Sequence, residues 1–121
     1  MAYILVIDDE DSLRKVIKVN LAASGYEVKT AVNGEDGLKA IAKQRPVLIM
    51  LDVKMPGMSG FDVLASLRAN QFLKDIPVII MTAFLGGAEE ARAREMGAAY
   101  LTKPFGVDEL VNKVKKSLTI F

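Results

Sequence analysis

The chain has 121 residues, 51% of them apolar, with 16 Lys and Arg against 15 Asp and Glu and a formal net charge of +1. That length fits one domain, residues 1–121, and the absence of His and Cys leaves only carboxylates, hydroxyls and lysines to carry chemistry, with no imidazole base, thiol nucleophile or thiolate zinc site. The near-neutral charge gives no electrostatic footprint for nucleic acid, no apolar run approaches the roughly 18 to 20 residues of a membrane span, and no basic leader precedes Tyr3, so the expectation is a cytoplasmic globular chain with no nucleic-acid or membrane partner.

The first strand is predicted near residues 3–8, where the apolar run Tyr3-Ile4-Leu5-Val6-Ile7 ends in Asp8 and Asp9. Leu13, Val16, Ile17 and Leu21 then share one face of a helix that Gly25 stops. Glu10 and Asp11, at its start, are weaker site candidates because acids there also serve the helix dipole. A second strand is expected near 27–31, and Asn33-Gly34 opens the second helix. The third strand, near 46–51, delivers Asp52 at its exit, just ahead of the turn-rich Val53-Lys54-Met55-Pro56-Gly57-Met58-Ser59-Gly60, in which Ser59 can cap the third helix.

The fourth strand, near 77–81, runs into Thr82-Ala83. The helical segment that follows, Gly87 to Met96, offers Ala88, Ala91 and Met96 as inward candidates rather than Leu or Ile. At roughly 25 cal/mol per Å² of buried apolar surface, such a helix is held more weakly than its neighbours. It reads as the most movable element, with Gly86-Gly87 loosening its start, or equally as an ordinary helix packed closely through alanines. A fifth strand near 98–101 leads into Thr102-Lys103-Pro104-Phe105, and the last helix places Leu110, Val111, Val114 and Leu118 on one face. Five strands alternating with five helices read as a doubly wound α/β parallel sheet.

In such sheets ligands bind beyond the carboxyl ends of the strands, where strand order reverses, and Asp8, Asp9 and Asp52 all fall at that edge. Two like charges about 4 Å apart at an effective dielectric near 20 repel by roughly 4 kcal/mol, so three ionised carboxylates need a cation or a proton. Few ligands, all oxygen and close to a loop, favour Mg²⁺. An aspartate beside Mg²⁺ can attack phosphorus to form an aspartyl phosphate, and Lys103 and Thr82, at neighbouring strand ends, can receive the new charge.

Val6-Ile7-Asp8-Asp9, Asp52 with Met55-Pro56-Gly57 and Gly60, Thr82-Ala83, Tyr100 and Lys103-Pro104-Phe105 follow one another on the expected elements. In this the chain resembles, over its whole length, the receiver domain of two-component response regulators, the CheY-like family. The resemblance implies a flavodoxin-like (β/α)5 sheet of order 2-1-3-4-5, and a phosphorylation-activated switch that catalyses only its own phosphorylation and dephosphorylation. It implies that Asp52 accepts phosphate, with Mg²⁺, from a phosphohistidine on a sensor histidine kinase or a histidine phosphotransfer protein. It also implies metal contacts from Asp9 and Asp52, from Asp8 through water and from the Lys54 backbone carbonyl. Lys103 pairs with the phosphoryl oxygens, and the Lys103–Pro104 bond is expected to be cis. On phosphorylation Thr82 moves toward the phosphoryl group and Tyr100 turns inward, altering the surface of the fourth helix, fifth strand and fifth helix.

Two features depart from many relatives. The loop Gly97-Ala98-Ala99-Tyr100 is one residue shorter and uncharged, and Lys54 and Phe84 occupy positions that in the family tune phosphate lifetime. Bulky Phe84 and the Lys54 stem are expected to screen the acyl phosphate from water. A haloacid-dehalogenase-type phosphatase fits less well, since Asp9-Glu10-Asp11-Ser12-Leu13 lacks the Thr or Val that follows its Asp-x-Asp pair. No Gly-x-Gly-x-x-Gly supports dinucleotide binding. A phosphorylation-independent scaffold usually lacks an acid, the Thr or the Lys, and all are present here. With the sequence ending at Ser117-Leu118-Thr119-Ile120-Phe121, output is expected through binding an unidentified protein target, the chain being a monomer or weak dimer.

Overall fold

Strands and helices alternate along the computed structural model, which describes residues 2–83 and 87–119. They run β1 (Ile4–Ile7), α1 (Asp11–Ala23), β2 (Val28–Ala31), α2 (Gly34–Lys43), β3 (Leu48–Asp52), α3 (Gly60–Arg68), β4 (Val78–Ala83), α4 (Ala88–Glu95), β5 (Ala99–Lys103) and α5 (Val107–Leu118). All neighbouring strands pair in parallel, in the order β2-β1-β3-β4-β5. This is the expected flavodoxin-like architecture.

Strand alternation divides the core into two layers. Tyr3, Leu5, Ile7, Ile49, Leu51, Val78 and Ile80 pack with Ile41 of α2, with Phe61, Val63, Leu64 and Leu67 of α3, and with Ala93 of α4. On the opposite face Ile4, Val6, Leu48, Met50, Ile79, Met81 and Leu101 pack with Ile17 and Leu21 of α1 and with Leu110 and Val114 of α5. β1 and β3 are buried along their whole length, as central strands covered on both faces require.

Local signals place the helix starts. The Asn33 side chain accepts a 2.7 Å hydrogen bond from the Asp36 N–H. Ser59 Oγ accepts from the Asp62 N–H at 3.2 Å, and Asp62 Oδ2 accepts from the Ser59 N–H at 2.9 Å, completing a capping box.

Three sequence expectations are corrected. Val16 is 50% exposed, because Ile17 and Leu21 take the buried stripe of α1 and leave Val16 at its margin. Ala88 is exposed and Ala91 only half-buried, because α4 turns Glu90 and Ala93 toward the sheet. Methyl groups bury too little area to fix the phase of a helix. β4 and β5 each continue two residues further than expected, so Thr82 and Lys103 lie inside the ladder, paired with Thr102 and Ala83.

Candidate functional site

Each acidic residue reaches the sheet edge for an evident local reason. Asp52 is the last residue of β3, and the chain then turns through Gly57, whose φ of 79° is a left-handed conformation that glycine adopts freely. It re-enters α3 at Gly60, where a Cβ would stand 2.2 Å from the Asp52 carbonyl oxygen. Only glycine lets α3 start so close to the strand end. Asp8 and Asp9 follow β1, and the Asp8 N–H still donates to Ala31 of β2.

The three carboxylates converge: one oxygen from each of Asp8, Asp9 and Asp52 lies within 4.8 Å of the others, with Asp8 and Asp52 buried and Asp9 exposed. Lys103 Nζ, at the end of β5, donates to Asp52 Oδ1 at 3.0 Å and to Asp8 Oδ2 at 3.2 Å. The second Asp8 oxygen accepts from the Glu10 N–H at 2.9 Å. Burial pushes the Asp52 carboxyl above its ordinary range, reinforced by the charges of Asp8 and Asp9 and opposed by the Lys103 hydrogen bond and charge. Burial pulls the Lys103 ammonium down, but its hydrogen bonds and charge pairing with Asp52 and Asp8 outweigh that and raise it. The Lys103–Pro104 bond is cis. Thr82 is fully buried beside the site, and its hydroxyl donates to the Ala83 carbonyl at 2.7 Å.

A cleft of about 160 Å³ opens over Asp52, walled by Val53, Lys54, Ala83, Glu89 and Lys103. A nucleophilic carboxylate, an ammonium group in contact with it and a compact oxygen cluster can together accept and neutralise a transferred anionic group.

Residues 4–115 match the response regulator receiver domain. The chain belongs to the response-regulator receiver family. Receivers are phosphorylation-controlled signalling switches of two-component systems rather than enzymes in the ordinary sense, they interact with histidine kinases, and the family typically binds Mg²⁺ in an acidic pocket. This receiver is 38% identical over 119 residues to the transcriptional regulatory protein KdpE of Mycobacterium tuberculosis, covering 98% of this chain and 51% of that protein. It is also 38% identical over 119 residues to the DNA-binding dual master transcriptional regulator RpaA of Synechocystis, covering 98% and 49%. The chain thus spans about half the length of the curated relatives it matches. Among solved structures, a putative response regulator from Chloroflexus aurantiacus superposes with a TM-score of 0.92 at 34% identity, covering 99% of this chain and 100% of that one. The chemotaxis protein CheY4 of Vibrio cholerae gives 0.89 at 32%, covering 98% and 99%.

The remaining expected residues of the receiver are spread around this edge. The Lys54 side chain is exposed at the mouth of the cleft, and Phe84 lies outside the described residues. Tyr100 is half-buried on β5: its hydroxyl accepts from Arg94 Nη1 at 3.3 Å, and Arg94 and Lys113 each stand 5.6 Å from its ring centroid. Two further residues were not singled out from the sequence. Glu89 lines the cleft beside Asp52, signalled only by the acids of the first turn of α4. Arg68, in the last turn of α3, reads as an ordinary partner for the helix dipole, yet it donates to the backbone carbonyls of Met96, Gly97, Lys74 and Ile76. No helix among the described residues is long and apolar enough to cross a membrane.

Proposed function

We propose that Asp52 is the phosphoacceptor of this receiver, taking a phosphoryl group from a phosphohistidine on a sensor histidine kinase or histidine phosphotransfer protein and thereby controlling the binding of a downstream protein. The observation that carries this reading is the buried Asp52 carboxylate with the Lys103 ammonium 3.0 Å away and Asp8 and Asp9 beside it. An Asp52 oxygen forms the new bond to phosphorus as the P–N bond of the donor breaks, and the imidazole nitrogen keeps the bonding pair. With no His in the sequence, that imidazole belongs to another molecule.

Asp9 and Asp52 would hold Mg²⁺ directly, with the Lys54 backbone carbonyl. Asp8 would act through water, which agrees with both its carboxylate oxygens already accepting hydrogen bonds. When bound, the ion supplies positive charge to the incoming phosphoryl oxygens. Lys103 exchanges part of its contact with Asp52 and Asp8 for one of those oxygens. The Thr82 hydroxyl turns from the Ala83 carbonyl to another, and Tyr100 leaves its Arg94 partner for the space that Thr82 vacates. Phosphorylation adds about −1.5 to −2 charge and three acceptor oxygens. Charge-assisted hydrogen bonds contribute roughly 1.5 to 3 kcal/mol each, and moving an equilibrium from 1:99 to 99:1 takes about 5.5 kcal/mol, so two or three new bonds suffice. The Lys54 stem and Phe84 would slow hydrolysis by screening the acyl phosphate. In this reading residues 1–121 form one receiver unit, a cytoplasmic monomer or weak dimer whose own target is a protein rather than nucleic acid.

Incubation with Mg²⁺ and acetyl phosphate tests the assignment. Intact-mass measurement is expected to show one phosphate increment that Asp52→Asn abolishes. No increment with any small donor or phosphohistidine protein would overturn it in favour of a phosphorylation-independent scaffold.

A further inference from the structure

Apolar side chains hold four of the helices. α1 buries Ile17 and Leu21, α2 buries Ile41, α3 buries Phe61, Val63, Leu64 and Leu67, and α5 buries Leu110 and Val114. α4 buries only Ala93 and Glu90. Glu90 is 7% exposed, yet its Oε2 accepts a single long hydrogen bond, 3.5 Å from Thr102 Oγ1, and its Oε1 has no partner among the described residues. Polar groups out of water without partners work against the arrangement that buries them.

The far end of the helix is tied down. Arg68 Nε and Nη2 donate to the carbonyls of Met96 and Gly97, each at 3.0 Å, and Nη1 donates to Lys74 and Ile76 at 2.8 and 3.1 Å. One guanidinium thus fastens the C-terminal cap of α4 to α3 and to the connection into β4. The partner of Glu90 is also well placed. Thr102 of β5 pairs in register with Thr82 of β4, and neighbours in a parallel ladder present their side chains to the same face. Thr82, Thr102 and Glu90 therefore line up on the face that α4 covers, beginning one residue beyond Met81, the ladder partner of Asp52.

We propose that Thr102 and Glu90 relay the state of Asp52 to α4: the orphaned carboxyl keeps the N-terminal half of the helix close to release, Arg68 is the pivot, and withdrawal of Thr82 frees Thr102 from Glu90 and tips the helix off the sheet. The inference rests on the phosphoacceptor reading for its trigger, but not for the poise of the unphosphorylated helix.

Hydrogen–deuterium exchange by mass spectrometry, on the full chain with and without Mg²⁺ and acetyl phosphate, tests it. In the unphosphorylated chain Glu90→Leu is expected to slow exchange of the α4 amides about tenfold, whereas Thr102→Val, which removes the only partner of Glu90 among the described residues, is expected to speed it by a similar factor, with β1 and β3 unaffected. On phosphorylation, shown by the mass increment, α4 exchange accelerates several-fold in the wild type and not in Glu90→Leu. Unchanged or faster α4 exchange in a Glu90→Leu chain whose sheet amides remain protected overturns the proposal. If that variant does not fold, absence of acceleration in Thr102→Val does so instead. Should the wild type take up no phosphate, the phosphoacceptor reading fails separately, and the two unphosphorylated comparisons still decide whether Glu90 poises the helix.

Discussion

On the proposed reading Asp52 carries two opposed demands, since a phosphoryl acceptor needs a bare, reactive carboxylate and a folded core disfavours one. The structure holds both by burying Asp52 at 7% exposure beside two further acids, with Lys103 alone among the described residues in direct compensation. In metal-free buffer at neutral pH the Asp52→Asn chain is therefore expected to unfold at a higher temperature, by roughly 4 °C if the relief is worth about 1 kcal/mol. Added Mg²⁺ is expected to reverse the order, raising the midpoint of the wild type well above that of the variant, because a ligand of the native state alone stabilises it by mass action. Thermal scans by circular dichroism with EDTA and with Mg²⁺ check both. A variant no more stable than the wild type in EDTA would mean that the carboxylates are better solvated than their burial implies. The residues of this site were legible in the sequence because each ends an apolar run, and strand ends gather at one edge of a parallel sheet. Glu89 and Arg68 end no such run, and Glu90 lies in a helix whose phase the alanines left undefined. What these residues touch is set by tertiary packing alone.

The helices differ in how much of their placement is encoded locally. α3 is fully specified at its start: Ser59 and Asp62 exchange hydrogen bonds, and Gly60 permits the approach to the Asp52 backbone. The Asp62 carboxyl is held below its ordinary range, chiefly by the hydrogen bond from the Ser59 N–H and then by the Ser59 side chain. Its lowered folded-state value means that its contribution is present above the ordinary carboxylate range and is lost as pH falls through that lowered value. Asp62→Asn is accordingly expected to lower the thermal midpoint at neutral pH, with the difference from wild type closing in acid. Ser59→Ala, which removes the cap itself, should cost about 1 kcal/mol at neutral pH. A pH series of unfolding curves separates the two, and an Asp62→Asn deficit that stays constant into acid would show that the carboxylate is not the source. α4 is the contrast. Its short side chains carry no amphipathic signal, so the element was legible in the sequence but its buried face was misplaced by about half a turn, Glu90 and Ala93 lying inward where Ala88 and Ala91 were expected. The buried stripe of α1 was read almost correctly, because Ile17 and Leu21 are large enough to define it, and only Val16 at the margin was misassigned.

At the scale of the whole molecule, the sheet is shared by two apolar layers, and no strand of the centre belongs to one of them alone. β4 gives Val78 and Ile80 to the layer beneath α3 and α4, and Ile79 and Met81 to the layer beneath α1 and α5. A displacement at its Thr82 end is therefore felt on both faces, which is what a switch that moves a distant surface requires. The same sharing makes the two layers one cooperative unit. Leu64, fully buried on the α3 side, tests this from one face: Leu64→Ala is expected to cost about 2–5 kcal/mol. The chain has no Trp, and its tyrosines report on both layers, Tyr3 lying in one and Tyr26 packing against the other. In urea the wild type and Leu64→Ala should each lose tyrosine fluorescence and far-ultraviolet circular dichroism in coincident transitions, with the variant midpoint lower and the slope unchanged. Tyr26→Phe leaves Tyr3 and Tyr100, both on the first layer, and the double replacement Tyr3→Phe with Tyr100→Phe leaves Tyr26 alone to report on the second. If Leu64→Ala melted the Tyr3 layer ahead of the Tyr26 layer, the faces would be separable, and movement of Thr82 would be confined to the side on which α4 packs.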